Sequence, residues 1–214
     1  MSESAWERAY VRFEPPEQEV RKFSARLARL GARRWPRDAR VVELFCGRGN
    51  GLVALERMGF THIEGVDRSA ALVARYQGRA KCHIADCRSL PLPSASRDVV
   101  VVQGGLHHLE RLPEDLDRTL DEMQRVLCPG GRALVVEPWL TPFLEGVHAA
   151  CRSRVLRRLS PKLDALATMI EHERETYLRW LAQPALILAA LERRFEPAMR
   201  QIRWGKLYFV GRRG

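Results

Sequence analysis

A glycine-rich turn directly follows a short apolar run in the first quarter of the chain. The stretch reads VVELFCGRGNG over residues 41–51, with glycine at alternate positions, Gly47, Gly49 and Gly51. Glycine is needed where a chain turns sharply from a strand into a helix and where a ligand approaches the backbone closely. Turns of this kind after a buried strand usually bind a nucleotide-like group. The stretch therefore predicts the first strand of an α/β fold with a ligand at its carboxyl end.

Strands and helices are predicted to alternate from this turn onward. Apolar runs predict strands at residues 40–45, 62–66, 82–85, 98–103 and 133–136, and helical periodicity predicts helices at 17–32, 51–58, 69–76 and 114–127. Ser69 is placed to cap its helix, and Pro129-Gly130-Gly131 is placed to end the last one. Such alternation is typical of a parallel, doubly wound sheet.

The pattern changes after Glu137. Residues 143–195 read only as helices, interrupted at Pro161 and Pro184, and the end of the chain reads as two strands with a tight turn at Gly205-Lys206. We therefore predict an α/β, Rossmann-like doubly wound sheet of seven strands, with a C-terminal antiparallel hairpin and a helical insertion after the fifth strand. The prediction is a single domain over 1–214, divided into an N-terminal helical lid (1–37), a ligand-binding core (38–138), a helical cap (139–196) and a closing hairpin (197–214).

Composition fits one soluble globular domain. The 214 residues are 46% hydrophobic and 29% charged, no apolar run is long enough to span a bilayer, and the N-terminus is too polar for a signal peptide. A cytoplasmic location without membrane contact is expected. The five cysteines include no CxxC spacing, so free thiols are predicted rather than a disulfide framework or a zinc ribbon.

The net charge of +10 leaves two interpretations open. A basic surface can bind nucleic acid. However, the basic residues are nearly all arginines scattered through every segment, which equally fits a solvated surface that favours an anionic substrate. No sequence feature indicates an oligomeric state.

The glycine spacing separates two cofactor classes. The dinucleotide fingerprint would need its third small residue at position 52, which is Leu52, and a phosphate loop ending in Gly-Lys-Ser/Thr is absent. A nicotinamide oxidoreductase is therefore disfavoured. VVELFCGRGNG instead resembles motif I of the class I S-adenosylmethionine-dependent methyltransferases (type 11-like), with Glu43 at the acidic position and Phe45 where many members have glycine.

Further landmarks of that family follow in order. IEGVDRS places Asp67 at the end of the second strand, and HIADCRSLPLPSASRDVVVV places Asp86 after the third strand and Asp98 before the fourth. LHHL and LDEMQRVLCPGG resemble the segment before the fifth strand. The resemblance covers about residues 38–137.

The resemblance implies S-adenosylmethionine as methyl donor and S-adenosylhomocysteine as product. The implied cofactor-binding residues are Glu43, Cys46, Gly47, Arg48, Gly49, Asp67, Arg68, Asp86, Cys87 and Gln103. Glu43 either accepts from the cofactor ammonium or braces the glycine loop. Asp67 either accepts from the ribose hydroxyls or caps the following helix. Asp86 either accepts from the adenine amino group or holds a turn.

Residues after the fourth and fifth strands are the candidates for catalysis. His107 and His108 either act as a base beside the methyl group or pack the loop, and Glu137 either binds the acceptor or is structural. Trp139 is predicted to form an aromatic wall of the acceptor pocket.

The insertion is predicted to determine acceptor specificity. A helix over about 164–182 places Leu166, Met169, Ile170, Tyr177, Trp180 and Leu181 on one face. Glu173 lies within that face and either pairs with a core arginine or points into the pocket with Tyr177 and Trp180. The N-terminal aromatic residues Trp6, Tyr10 and Phe13 either form a lid or pack an amphipathic helix.

These features predict methyl transfer to the oxygen or nitrogen of a small acceptor, anionic or aromatic, with no metal required. An RNA or protein methyltransferase that docks through the basic surface is an alternative, although the N/D-P-P-F/Y motif of amino-methylating enzymes is replaced by Gln103-Gly104-Gly105-Leu106. A nonenzymatic cofactor-binding protein is a third possibility.

Overall fold

The computed structural model describes the backbone of residues 5–214 and the side chains of residues 8–214. Its strands are β1 (Arg40–Leu44), β2 (His62–Asp67), β3 (Lys81–Ile84), β4 (Arg97–Gln103), β5 (Leu127–Pro138), β6 (Glu196–Arg203) and β7 (Lys206–Arg212). They form one seven-stranded sheet in the order β3-β2-β1-β4-β5-β7-β6. The first five strands are parallel, and β7 pairs antiparallel with both β5 and β6. The predicted fold class is confirmed.

Ten helices surround the sheet in the described part of the chain. They are α1 (Ala5–Phe13), α2 (Pro16–Arg29), α3 (Asn50–Arg57), α4 (Ala70–Val73), α5 (Glu114–Val126), α6 (Pro142–Arg152), α7 (Arg154–Leu159), α8 (Pro161–His172), α9 (Arg174–Leu181) and α10 (Pro184–Arg194). Proline opens several of them, where its missing N–H costs no hydrogen bond. Thr141, Ser153 and Ser160 cap α6, α7 and α8 through their side-chain oxygens.

Both faces of the sheet are buried, which explains the unbroken apolar run of β4. On one face, Val100 and Val102 pack in a cluster with α5, α9 and α10. On the other face, Val99 and Val101 pack with residues of α2 and α3. Burial of each such side chain stabilises the fold by roughly 1.5–3 kcal/mol. A strand covered on both sides needs no polar alternation.

Two elements of the core differ from the sequence prediction. The helix predicted over 69–76 is only α4, because the Tyr76 hydroxyl donates to Glu56 of α3 at 2.5 Å and draws the chain away from the helical path. The Pro129-Gly130-Gly131 stretch does not lie in a loop after α5 but within β5, where the pairing with β4 jumps from Arg97–Leu127 to Val99–Arg132.

The insertion and the hairpin also carry corrections. The single helix predicted over 164–182 is two helices, because the chain breaks at Glu173, whose φ and ψ are −108° and 12°. The hairpin turn lies at Trp204-Gly205, one residue earlier than predicted, with positive φ at both residues (51° and 72°). Two positive φ values are typical of the tight turns that join antiparallel strands.

The topology places the carboxyl ends of β1, β2, β3 and β4 along one edge of the sheet. Helix α2 approaches this edge on the face that carries α3, α9 approaches it on the face that carries α5, and α1 packs against α8. In the described range, every helix is too short or too polar to cross a bilayer.

Candidate functional site

A cavity of about 400 Å³ opens at this edge of the sheet. Its wall takes residues from the ends of the first four strands, from α1 and α2, and from the junction of α8 and α9. Ligand cavities in proteins typically measure about 300–1,000 Å³ and favour the carboxyl edge of doubly wound sheets. The fold therefore provides one site of small-molecule size where the sequence predicts it.

The glycine loop is tied to the end of β2. The Gly47 N–H donates to Asp67 Oδ2 at 2.8 Å, and the Ser69 N–H donates to Asp67 Oδ1 at 2.8 Å. Gly47 has a φ of 53°, a region that glycine adopts without strain. Asp67 thus braces the loop and the turn into α4 while also lining the cavity beside Arg68.

The third glycine of the motif makes room for a buried carboxyl. A Cβ atom at Gly51 would lie 2.0 Å from Glu43 Oε1. Glu43 is only 3% exposed, and burial, followed by the nearby Glu19, raises its pKa to about 8. Glycine is therefore required at position 51 to make room for the Glu43 carboxyl, and not to let a pyrophosphate approach the backbone.

Three buried polar atoms at this end of the cavity lack a hydrogen bond of good geometry to any described residue. They are Glu43 Oε2 and both amide atoms of Gln103, although the Gln103 amide is close enough to the Glu43 carboxyl to lower its pKa slightly against the effect of burial. Buried polar groups are nearly always satisfied, so such atoms in a cavity wall point to a polar ligand. A ligand with an ammonium group beside Glu43 would supply the missing donor.

Asp86 lies in the cavity wall at the end of β3. Arg88 donates to both of its oxygens, at 3.0 and 2.6 Å, and holds the pKa of Asp86 at about 2. Arg88 also contacts Asp115 at 3.0 Å. Cys87, the next cavity residue, lies 3.5 Å from the Thr119 hydroxyl. The predicted turn role of Asp86 is thus present, and its carboxylate stays ionised.

The two histidines lie beyond β4, on a short 3₁₀ turn. Glu137, fully buried, accepts from the N–H groups of Gly105 and Leu106 at 2.8 Å each, and its other oxygen is 2.7 Å from His107 Nδ1. Because the carboxylate occupies Nδ1, the proton of a neutral His107 resides there and Nε2 is left as an acceptor.

Glu173 reaches the same two histidines from the insertion. Its Oε2 is 3.8 Å from His107 Nε2, and its Oε1 is 3.6 Å from His108 Nδ1. The break between α8 and α9 at Glu173 turns this side chain into the cavity. The packing around His108, with a smaller contribution from His107, lowers the pKa of His108, although 35% of its side chain remains exposed. His107, His108 and Glu173 are named the polar triad below.

Two predicted loop contacts are not brought to the cavity. Arg48 is buried elsewhere, where its guanidinium donates to the Glu14 carbonyl and to Glu19, at 2.9 Å each, and lies 4.3 Å from the Tyr10 ring centre. It fastens the N-terminal helices to the loop. Gly49 is covered by Tyr76, whose ring would be 2.2 Å from an added Cβ atom.

Four predicted acceptor-side residues lie behind the cavity wall. Glu137 is enclosed by the contacts described above, an arrangement that favours the structural alternative over direct contact with an acceptor. Trp139 and Trp180 are buried in the core, the latter donating to the Pro138 carbonyl at 2.9 Å. Tyr177 is buried with its hydroxyl 3.0 Å from His148, and its ring meets His107 edge-on.

Several cavity residues escaped the sequence prediction. Phe23 and Arg26 of α2, Phe45, Met169 and Lys206 line the cavity, together with the predicted Tyr10 and Phe13. Lys206 is buried enough that its pKa falls to about 8. Phe45 and Lys206 lie at strand ends on this sheet edge, whereas Phe23, Arg26 and Met169 lie within α2 and α8 and carry no sequence signal that separates them from ordinary helix positions. The side chain of Trp6 lies outside the described residues.

Known proteins that are similar in sequence to this chain include several methyltransferases. Residues 42–135 match the family model described as a methyltransferase domain. The ubiquinone/menaquinone biosynthesis C-methyltransferase UbiE of Geobacter sulfurreducens is 34% identical over 139 residues, covering 59% of this chain and 48% of that protein. The demethylmenaquinone methyltransferase of Thermus thermophilus is 30% identical over 135 residues, covering 59% of each. The chain thus spans about half the length of the curated relatives it matches.

Solved structures extend the similarity of fold to the whole chain. A protein from Pyrococcus horikoshii superposes with a TM-score of 0.68 at 18% identity, covering 96% of this chain and 98% of that one. Geranyl diphosphate C-methyltransferase from Streptomyces coelicolor superposes with a TM-score of 0.60 at 15% identity, covering 100% and 88%. At such identities the match concerns the fold, including the insertion and the hairpin.

Proposed function

Residues 42–135 match the methyltransferase-domain family, and on that premise we propose that the chain is a class I S-adenosylmethionine-dependent methyltransferase that transfers a methyl group to a small-molecule acceptor held in the cavity. The observation that carries the proposal is the two-ended cavity. Glu43 and Gln103, whose buried polar atoms are not fully satisfied, lie beside the glycine loop at one end, and the polar triad lies at the other.

The first end fits the methyl donor. Glu43 would accept from the ammonium of S-adenosylmethionine, and Gln103 would bond the methionine moiety. Asp67 would accept from the ribose hydroxyls, and Asp86 with the backbone at Cys87 would bind the adenine edge. The donor supplies a methyl group already activated on its sulfonium sulfur. The protein therefore has to align an acceptor and manage its proton.

The second end supplies groups for that acceptor. His107 and His108 would contact it, with Glu137 acting through His107 as a positioning residue. Glu173 adds a carboxylate beside both imidazoles. Such a set suits an acceptor with an ionisable hydroxyl, because imidazole can accept its proton as the nucleophile forms.

The attacked atom is proposed from the relatives. The sequence favoured oxygen or nitrogen, whereas several relatives are named as C-methyltransferases of ubiquinone and menaquinone biosynthesis. We propose a hydroxylated ring of quinol type, whose deprotonated form is nucleophilic at carbon as well as at oxygen. The apolar side chains of Phe13, Phe45 and Met169 in the cavity wall are compatible with such a ring.

Cofactor binding tests the first half of the proposal. Titration calorimetry should detect saturable binding of S-adenosylhomocysteine, lost or weakened about tenfold or more in Asp67→Ala, because hydrogen bonds to a carboxylate contribute roughly 1.5–3 kcal/mol. Asp38→Ala, at an exposed position, is the matched control and should bind as wild type. Absence of binding to the wild-type protein would reject the proposal.

Turnover tests the second half. A panel of quinols, phenols, catechols and amines would be incubated with methyl-deuterated donor, and products read by mass spectrometry. Transfer to a ring carbon or oxygen of a small acceptor is expected. Cofactor binding with no turnover on any class would support the nonenzymatic alternative. Transfer only to RNA or protein, with affinity that falls steeply as salt rises, would support the polymer alternative raised by the net charge of +10.

A further inference from the structure

We propose that the polar triad is a binding site for a divalent transition-metal ion. The ion would be held by His107 Nε2, His108 and Glu173, with open positions facing the cavity. Binding of the ion follows from the protein's own residues, and only its use, to hold an oxygen of the acceptor, rests on the proposed function.

The geometry of the polar triad is close to that of a bound site. One ligand atom from each residue can be chosen so that all lie within 4.8 Å of one another. Glu173 oxygens lie 3.8 Å from His107 Nε2 and 3.6 Å from His108 Nδ1. Ligands about 2.0–2.2 Å from a common ion lie roughly 3.0–3.6 Å apart. Side-chain shifts of roughly 1–2 Å would therefore close the set around an ion.

Glu137 supplies the second and independent observation. Metal-bound histidine almost always donates its other ring N–H to a carboxylate or carbonyl, which fixes the tautomer and the ring orientation. His107 already has this arrangement, since Glu137 lies 2.7 Å from Nδ1 and is itself held by two backbone N–H groups. Nε2 is thus presented to the cavity as a preset ligand.

Accessibility of the polar triad allows an ion to enter. The side chains of His107, Glu173 and His108 are 10%, 18% and 35% exposed, all on the cavity side. Two imidazoles and one carboxylate suit Zn²⁺, Fe²⁺, Mn²⁺ or Co²⁺ better than Mg²⁺, which prefers oxygen ligands. Three protein ligands leave at least one position for an outside oxygen.

That open position defines the role of the ion. An acceptor hydroxyl bound there would be held next to the methyl donor and would become more acidic. With the imidazoles occupied as ligands, its proton would pass to bulk water, so the ion would replace the imidazole base of the metal-free reaction. The same site would discriminate against acceptors that lack an oxygen ligand. It adds a requirement to the proposed reaction without changing the donor end of the cavity.

Cobalt binding tests the proposal directly. The 214-residue protein, freed of metal by a chelator, would be titrated with Co²⁺ and its visible absorption recorded. One Co²⁺ per chain with ligand-field bands is expected. His108→Ala and Glu173→Gln should each weaken binding by about tenfold or more, and Glu137→Gln by about 10–100-fold through loss of orientation at His107.

Neighbouring residues provide matched controls. His172→Ala and Glu171→Gln change exposed residues directly beside Glu173 and should bind Co²⁺ as the wild type does. Titration of each variant with S-adenosylhomocysteine shows whether its donor end is still folded. Co²⁺ affinity that is equal in wild type, His108→Ala and Glu173→Gln, with the cofactor end intact, would overturn the metal site and leave a metal-free hydrogen-bonded triad.

The two proposals fail differently. Cofactor binding without Co²⁺ binding removes only the metal site. Co²⁺ binding without affinity for S-adenosylhomocysteine would retain the metal site and reject the proposed methyl transfer.

Discussion

At the scale of the single residue, Glu43 is unusual because it is a buried carboxyl group with a raised pKa. A carboxyl group that is buried beside Gly51, with one oxygen unpartnered, is held largely in its neutral form near pH 7 because burial raises its pKa from the ordinary 4.5 to about 8. A raised carboxyl pKa means that the free protein loses stability as pH rises from about 4.5 through 8, since ionising Glu43 is then uncompensated. A ligand ammonium would reverse this preference.

Cofactor binding should therefore depend on pH in a defined direction. Ionised Glu43 pairs with the ammonium, so its pKa falls in the complex and a proton is released on binding. Affinity for S-adenosylhomocysteine should rise from pH 6 to 8, by at most about tenfold per unit, and level off above about 8. Calorimetry in buffers of different ionisation enthalpy counts the proton. Glu43→Gln should flatten the profile, and a flat wild-type profile would contradict the direct contact.

Gly51 and Gly146 form a matched pair of helical glycines. Gly51→Ala should push Glu43 aside and weaken S-adenosylhomocysteine binding by about tenfold to a hundredfold, the worth of one charge-assisted hydrogen bond. Gly146→Ala in α6 meets nothing within 4 Å and should stabilise the protein by roughly 0.5–1 kcal/mol. Equal cofactor affinity in the two variants would separate Gly51 from the binding site.

At the scale of elements, the N-terminal helices are fastened to the glycine loop by a buried ion pair. Arg48 and Glu19 meet at 2.9 Å with side chains only 7% and 10% exposed, and the carboxylate also receives Asn50 and Tyr10. Arg57 of α3 and Glu17 of α2 form an exposed pair nearby. The Arg48–Glu19 and Arg57–Glu17 pairs differ mainly in burial, so comparing variants of the two tests how much burial contributes to the strength of an ion pair.

Removal of Arg48 should release this connection. Arg48→Ala leaves a buried carboxylate short of its cation and should cost about 3–5 kcal/mol, with faster amide hydrogen exchange in α2 and weaker cofactor binding. Arg57→Ala should leave exchange and unfolding unchanged, because exposed pairs are screened by water. Similar exchange in the two variants would mean that apolar packing of Phe23 and Leu27 holds α2 unaided.

Elements with a strong periodic signal were predicted well, and those set by tertiary contacts were not. Strand β4 and helix α5 follow from their own sequences because each buries a continuous apolar surface. The helix after Ser69 is short because Tyr76 bonds to Glu56, a contact that local propensity does not contain. The periodic pattern predicted one continuous helix through Glu173, whereas the structure has a break there. This break brings the Glu173 carboxylate to the histidines.

The same division holds for the site. Glu43, Asp67, Asp86 and Gln103 reach the cavity because strand ends share one edge, which topology alone dictates. Trp139 and Trp180 looked equally suited to a pocket, yet both are buried in the core. Sequence spacing cannot tell an aromatic wall from an aromatic core when the difference is which side of a helix meets the sheet.

At the scale of the whole molecule, occupancy of the cavity should be visible as global stability. A ligand that binds only the folded chain at 100 times its Kd adds about 2.7 kcal/mol. For a chain of 214 residues this corresponds to a rise in Tm of roughly 5–10 °C. Scanning calorimetry with and without S-adenosylhomocysteine measures it. Asp67→Ala should show a smaller rise, and an equal rise would place the ligand elsewhere.

Phe45 and Gly105 are sterically coupled at the end of β1. It adopts a φ of 56°, a conformation unfavourable for a side chain of its size, and its ring occupies the space where a Cβ atom at Gly105 would lie, 2.2 Å away. A change at position 105 alone would clash, and a change to glycine at position 45 alone would relax the backbone but empty the space. Positions 45 and 105 are therefore expected to covary among homologous sequences, because the residue tolerated at one position depends on the residue at the other.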